Sequence, residues 1–232
     1  MIDGAADELF EVAVRASQAV GTNLVSVVLT ELPPGLRESY HTPGQYLVLQ
    51  LNEQRLYLAL ASAPGDEDFE LLVRTGGGNA ADQLAQLTVG ARLKVRSVAG
   101  KGFPRTSPGS AATCMVVAGS GIAPMRAVIG HAIATGQPLD GWSLYWGAKN
   151  NTCRPYLEEV PAWQNLGLQV VMADSEPLNG ASGQYVQDAL RNLSLEPSRQ
   201  QVFLCGMKPM IEAVKEQLTA RGLPQAAIHL NF

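Results

Sequence analysis

The stretch Cys114-Met115-Val116-Val117-Ala118-Gly119-Ser120-Gly121-Ile122-Ala123-Pro124-Met125-Arg126 restricts the fold more than any other part of the chain. A short apolar run at its start, residues 114–118, reads as a buried strand. The run breaks into Gly119-Ser120-Gly121. A helix then opens at Pro124, a residue suited to the first helical position because its missing N–H would have no partner there. Met125, Val128, Ile129, Ala132 and Ile133 follow on one helical face. Strand, glycine turn and helix N-terminus together make an anion site. The glycines let backbone N–H groups approach a pyrophosphate, and the helix dipole favours its charge. A Gly-x-Gly alone often only connects a strand to a helix, so the nucleotide reading depends on what surrounds it.

The surroundings change character once along the chain. Residues 10–16, 24–29, 45–51, 55–62, 69–73 and 92–98 carry β-branched, leucine and aromatic residues at strand lengths, with proline- and glycine-rich turns such as Pro33-Pro34-Gly35, Thr42-Pro43-Gly44 and Gly76-Gly77-Gly78 between them. About six short strands at this spacing suggest a small antiparallel barrel, with one short helix over residues 80–87. Residues 100–111, rich in Gly, Pro and Ser, mark a boundary. The expected domains are residues 1–106, a β-barrel, and residues 107–232, a parallel α/β domain.

In the second half, strands at residues 114–118, 143–146, 169–173, 201–205 and 228–230 alternate with helices beginning near Pro124, near Arg154 or Pro155, near Gly183 and near Pro209. Such alternation implies a parallel sheet covered on both faces. Ligands of such sheets sit at the carboxyl ends of the strands, where Gly119, Gly147 and Gly206 collect.

Composition excludes several classes. A formal net charge of −4 over 232 residues argues against a broad nucleic-acid surface. No apolar run is long enough to span a membrane. The acidic start (Asp3, Asp7, Glu8, Glu11) lacks the basic and apolar parts of a signal peptide. Cys114, Cys153 and Cys205 are far apart, which excludes iron–sulfur and zinc spacings, and the three histidines are scattered, so no metal site is expected. These features suit the cytoplasm or another soluble reducing compartment.

A β-barrel followed by this α/β pattern resembles the ferredoxin–NADP reductase superfamily over nearly the whole chain. Ala118-Gly119-Ser120-Gly121-Ile122-Ala123-Pro124 is similar to the family's G-G-T-G-I-A-P loop, and Leu144-Tyr145-Trp146-Gly147-Ala148-Lys149 to its L-Y-Y-G-A-R. Gly183-Gln184-Tyr185-Val186 resembles its G-Y-V segment with one extra residue. Leu204-Cys205-Gly206-Met207-Lys208-Pro209-Met210 resembles its C-G-P-x-P-M, whose cysteine lies beside the nicotinamide in relatives. His41-Thr42-Pro43-Gly44-Gln45-Tyr46 resembles the entry to the strand before the flavin strand. The resemblance implies Gly119, Ser120, Gly121, Ile122, Pro124, Gly147, Ala148, Lys149, Gly206 and Met207 as nucleotide contacts, with Cys205 at the reacting ring. It also implies that Phe232 covers the flavin.

The flavin strand departs from the family's R-x-Y-S followed by hydrophobic-A-S-x-P. Two registers compete over Arg55-Leu56-Tyr57-Leu58-Ala59-Leu60-Ala61-Ser62-Ala63-Pro64. Anchoring on Ala61-Ser62 puts Leu56, Leu58 and Ala59 at the Arg, Tyr and Ser positions. Anchoring on Arg55 and Tyr57 recovers two of the three but inserts a residue and so demands a bulge, which favours the first. The second phosphate motif, G-x-x-S, corresponds to Gly78-Asn79-Ala80-Ala81, with Ala81 in place of the hydroxyl. Ser175-Glu176 lies where NADP-specific relatives carry Ser-Arg. A carboxylate there repels a 2′-phosphate and favours NADH, while Lys149 or Arg154 offers compensating charge. Arg126 is a further phosphate candidate, and Trp146 ends a strand beside the nucleotide site.

The resemblance thus implies an NAD(P)H-dependent flavin oxidoreductase. It would hold FAD, or FMN, in the barrel and NADH or NADPH in the α/β domain, and pass electrons to a separate acceptor such as a redox protein. The losses in the flavin motifs keep two alternatives open: a flavin-poor nucleotide-binding or interaction module of a larger redox complex, and a reductase of free flavin.

Overall fold

A computed structural model describes residues 9–104 and 112–231. The expected boundary between residues 106 and 107, and Phe232, lie outside these residues.

The first half forms one antiparallel sheet of six strands, β1 (Phe10–Gly21), β2 (Leu24–Thr30), β3 (Tyr46–Leu51), β4 (Gln54–Ala59), β5 (Phe69–Arg74) and β6 (Arg92–Ala99). Their order is β4-β3-β6-β1-β2-β5. The sheet curls until the chain just beyond β4 meets β5 at the single bridge Leu60↔Leu71, so the sheet is barrel-like without being a closed barrel. Alternation drives the curl. Phe69, Leu71 and Val73 of β5 point inward with Val12, Val27, Leu29, Leu47, Leu49, Leu60, Leu93 and Val95, while Glu70, Leu72 and Arg74 take the other face. Two short helices lie among the strands, α1 (Pro34–Ser39) and α2 (Ala80–Ala85). The proline-glycine cluster at 33–35, read from sequence as a turn, thus opens a helix: Pro34 stands in its first turn and Leu36 plugs the barrel core.

The second half contains β7 (Thr113–Ala118), α3 (Ile122–Ala134), β8 (Ser143–Ala148), α4 (Val160–Asn165), β9 (Gln169–Asp174), α5 (Val186–Ala189), β10 (Gln201–Cys205), α6 (Lys208–Ala220) and β11 (Ile228–Leu230). All five strands pair in parallel, in the order β11-β10-β7-β8-β9. The order reverses beside β7, the first strand of this sheet, and the crevice of such a sheet lies at that point. The helix after β7 begins at Ile122, two residues before the expected Pro124, because Gly119–Gly121 already winds as a 3₁₀ turn. Pro124 is then the third helical residue, where an N–H still has no partner inside the helix. The helix expected near Arg154 is absent; short 3₁₀ turns occupy residues 151–153 and 157–159, and α4 follows them.

The two sheets share a core. Leu24, Ala61, Leu72 and Phe103 of the first half pack with Met115, Val117, Ile122, Met125 and Phe203 of the second. Phe103 stacks on Phe203, with ring centroids 4.6 Å apart. A polar link runs beside this apolar contact. Arg126 of α3 donates to Glu70 of β5 at 2.8 Å, to the Ala61 carbonyl at 3.1 Å and to Glu159 at 2.7 Å, and lies 4.5 Å over the Tyr156 ring. Tyr156 and Ser26 hydroxyls donate to the same Glu70 carboxylate, at 2.9 and 2.6 Å. The barrel wall is thereby held against the N-terminal part of α3, the element that carries the glycine turn.

Candidate functional site between the two sheets

The cleft between the sheets follows from period-2 alternation in β4. Leu56 and Leu58 pack against the barrel core, and Leu60 is fully buried in it. Arg55, Tyr57 and Ala59 take the opposite face, and Tyr57 is 61% exposed. All six residues of β4 pair with β3 without a register shift. The strand therefore presents an arginine and a tyrosine on the outer face, and its pairing with β3 has no bulge from Gln54 to Ala59. Tyr46, opposite Ala59 on β3, meets the Tyr57 ring edge-on with centroids 6.1 Å apart. Gln45, buried, fixes the entry to β3: its side-chain oxygen accepts from the His41 and Thr42 amides and its NH₂ donates to Gly100.

Facing this aromatic wall are the carboxyl ends of β7 and β10. Together the walls enclose about 590 Å³, lined by Tyr46, Tyr57, Leu58, Ala59, Leu72, Arg74, Ala118, Ser120, Gly121, Cys205, Gly206, Met207 and Asn231 among others. Gly121 is needed for closeness. A Cβ there would collide with the Cys205 carbonyl, whose carbon lies 2.7 Å away. Gly119 turns with φ +57°, and the Arg74 guanidinium fills the space its side chain would take. Burial pushes the Cys205 thiol up to about 12, so it stands at the cleft as a neutral group and not as a thiolate. Asn231 is buried beside it, and its side-chain oxygen has no partner among the described residues.

A second cavity of about 560 Å³ continues along the strand ends, and Arg74, Ala118 and Met207 line both. Gly119, Gly147, Ala148, Lys149, Ser175, Glu176, Gln184 and Tyr185 belong to this second part. Lys149 and Glu176 pair at 3.1 Å across its open end. Arg154, weighed from sequence as a phosphate cation, is buried instead: it pairs with Asp174 at 2.5 Å and donates to the Trp146 and Ala173 carbonyls at 3.1 and 2.8 Å. It ties β8 to β9 from beneath and is not offered to a ligand. Arg126 is likewise committed, to Glu70 and Glu159, and Trp146 is wholly buried in the core.

The cleft brings together Tyr57, Leu58, Ala59, Gly119, Ser120, Gly121, Gly147, Ala148, Lys149, Cys205, Gly206 and Met207. Five other candidates do not line it. Ser62 is buried, its hydroxyl accepting from the Glu70 amide at 3.0 Å. Ile122 and Pro124 are buried in the helix. Gly78 lies in the turn before α2 and Ala81 in the first turn of the helix, and their N–H groups already have partners: Gly76 and Gly78 donate to the two Asp82 carboxylate oxygens at 2.6 and 2.5 Å, and Ala81 donates to Asn79 Oδ1 at 2.9 Å. Arg74 and Asn231 were missed. Nothing in their local sequence distinguishes them; only the curl of β5 and the end of β11 bring them to the cleft. Among the described residues no group of His, Cys, Asp and Glu could hold a metal ion.

Known proteins resemble this chain in sequence and in fold. Residues 115–216 match the family model described as the oxidoreductase NAD-binding domain. Ferredoxin–NADP reductase B of Sorangium cellulosum is 29% identical over 206 residues, covering 81% of this chain and 83% of that protein. These matches support a likeness to the ferredoxin–NADP reductase-like superfamily. The ferredoxin–NAD(P)⁺ reductase component of the naphthalene 1,2-dioxygenase and salicylate 5-hydroxylase systems of a Ralstonia species is 26% identical, and the match spans 82% of this chain but 60% of that protein. In fold, a ferredoxin NADP⁺ reductase from Neisseria gonorrhoeae, solved with bound FAD and NADP, superposes with a TM-score of 0.81 at 18% identity, over 97% of this chain and 99% of that one. Set against the superfamily motifs it resembles, this chain keeps the strand-end glycines and carries Ala81 in place of a hydroxyl in the first turn of α2.

Proposed function

We propose that the chain is an NAD(P)H-dependent flavin oxidoreductase, in which a reduced nicotinamide dinucleotide lies along the strand ends and a flavin ring lies against the outer face of β4. One observation carries this reading: a single continuous cleft has an aromatic wall on one side and a glycine-lined strand edge on the other. The outer face of Tyr57, with Tyr46 and Leu72, suits a planar heteroaromatic ring, because aromatic side chains stack on such rings and exclude water from them. The Gly119–Gly121 turn and the start of α3 offer backbone N–H groups and the positive end of the helix dipole to a pyrophosphate, with Arg74 adding a full charge. Ser175 and Glu176 then meet the far nucleoside, and the Glu176 carboxylate opposes a 2′-phosphate, so NADH is the preferred dinucleotide.

When bound, a flavin would supply hydride acceptance and the release of electrons singly or in pairs. The chain supplies position. The 590 Å³ cleft is lined from both sheets, so Tyr57 and Ala59 on one side and Gly121, Cys205 and Gly206 on the other would hold the two rings in one space. Neutral Cys205 adds no charge beside them. The fit is split: the ring wall suits a flavin, whereas the turn before α2 has given its N–H groups to Asp82. The electron acceptor is a separate molecule, in keeping with relatives named as ferredoxin reductase components of oxygenases.

Anaerobic mixing of the protein with FAD and NADH tests the reading. Bleaching of the visible flavin band at a rate proportional to protein, lost in Gly121→Val, is the expected result. A protein that binds NADH and leaves added flavin oxidised would overturn it.

A further inference from the structure

The turn before α2 is shaped as a cradle for an anion, and the anion it holds is the chain's own. Gly76 and Gly78 direct their N–H groups at opposite oxygens of the Asp82 carboxylate, at 2.6 and 2.5 Å. The amides of Gly77 and Asn79 stabilise the same charge, and the backbone donors, Gly76 foremost, hold the Asp82 carboxyl below its ordinary value of 3.8. Gly76 and Gly78 adopt φ of +94° and +65°, the conformation that lets successive N–H groups converge. Asn79 caps α2 through the Ala81 amide, and residue 81 contributes a methyl group where a hydroxyl would be a further donor. A carboxylate four residues beyond Gly78 thus fills the space in which a phosphate would find its hydrogen bonds.

We propose that Asp82 closes this turn to phosphate, so that the barrel selects a flavin by its ring and accepts riboflavin, FMN and FAD as exchanging molecules. The proposal rests on the flavin reading of the cleft and names the substrate class of that site. A phosphate entering the turn would have to displace the carboxylate or stand against it; the first leaves a charge without its donors and the second places like charges in contact. The ring site is separate. Tyr46, Tyr57, Leu58, Ala59 and Leu72 line the cleft, and none of them touches the Asp82 carboxylate through a hydrogen bond. Removing Asp82 therefore changes what happens to a flavin's phosphate and leaves the ring contacts as they are.

Two measurements on the full chain test this. In the first, inorganic phosphate is titrated while the amide resonances of Gly76, Gly77, Gly78 and Asn79 are followed. They are expected to stay fixed in the wild type and to move in Asp82→Asn, which removes the charge and keeps one acceptor oxygen. Movement in the wild type at millimolar phosphate overturns the proposal, and this arm needs no flavin and no variant. In the second, equilibrium binding of riboflavin, FMN and FAD is compared between wild type and Asp82→Asn, with the same spectra confirming that the barrel amides are unchanged. FMN and FAD are expected to bind about tenfold more tightly to the variant and riboflavin with unchanged affinity, a difference of about 1.4 kcal/mol. An equal change for all three flavins, or none, overturns the proposal. If no flavin binds either protein, the flavin reading of the cleft fails, and the phosphate titration still decides the state of the turn.

Discussion

Single residues decide how closely the two walls approach and which dinucleotide fits between them. Gly121 touches the Cys205 carbonyl so closely that even a methyl group has no room. In Gly121→Ala the loop must move away from β10, and the expected cost is about 2 kcal/mol of stability, typical of overpacking a close contact. Urea unfolding reads that loss, and NADH affinity is expected to fall with it, because the displaced turn carries the N–H donors. Glu176 acts through charge alone. Its partner Lys149 is 65% exposed and Glu176 itself 62%, so the pair contributes little to folding. Glu176→Gln is expected to leave the melting temperature and the NADH kinetics nearly unchanged. It should raise kcat/KM for NADPH about fivefold, the effect of removing roughly 1 kcal/mol of repulsion in a wet site. An unchanged NADPH/NADH ratio would show that the carboxylate does not face the 2′ position.

At the scale of elements, α3 is placed by Arg126, whose side chain crosses from the helix to β5 and to the turn before α4. Burial disfavours its charge, but Glu70 and Glu159 more than offset this and push its pKa up. Arg126→Met leaves two partly buried carboxylates without their cation. A loss of about 2 kcal/mol is expected in urea unfolding, less than for a fully buried pair because the three side chains keep 17–29% exposure. Glu159 also gives this link a pH signature. Burial, the largest influence, raises its pKa above the ordinary 4.5 despite Arg126. The folded state therefore holds this proton more tightly than the unfolded chain, and the stability it contributes is present below 4.5 and lost as pH rises through the raised value. Unfolding free energies of wild type and Glu159→Gln, measured across that window, should show the extra downward slope in the wild type alone.

Elements of this kind were unequally legible in the sequence. Strand β7, its glycine turn and α3 were readable because an apolar run, two glycines and a helical stripe occur in succession. The start of α3 was misread by two residues, since a 3₁₀ turn through glycines leaves no apolar period. Helix α1 was hidden: six residues with one buried side chain, Leu36, carry no period to detect. The β4 register shows the limit most clearly. Motif spacing favoured the alignment with leucines at the flavin positions, whereas simple alternation of Leu56, Leu58 and Leu60 into the core puts Arg55 and Tyr57 outside. Arg154 was unreadable for another reason: its burial depends on two carbonyls, of Trp146 and Ala173, that only strand pairing brings beneath it.

For the molecule as a whole, the question is whether the two halves fold separately, as the composition shift near residue 106 suggests, or as one unit. The shared core argues for one unit. Phe103, fully buried, follows the last barrel strand and stacks on Phe203 of the central strand β10, while Leu24, Ala61 and Leu72 pack on the same cluster as α3. Removing the Phe103 ring deletes contacts that belong to neither half alone, and a Phe→Ala change of this kind costs about 3–5 kcal/mol. The three tryptophans, Trp142, Trp146 and Trp163, all lie in the second half and are buried there, so their fluorescence reports that half, while far-UV circular dichroism reports both. In the wild type the two signals are expected to change together with urea, as in a cooperative transition. In Phe103→Ala the fluorescence and circular dichroism midpoints should separate, because each half then loses its template at its own denaturant concentration. Coincident midpoints in the variant, with an unchanged slope, would instead show that the Arg126 link and the remaining apolar contacts suffice to couple the halves. The cleft geometry would then not depend on the aromatic stack beneath it.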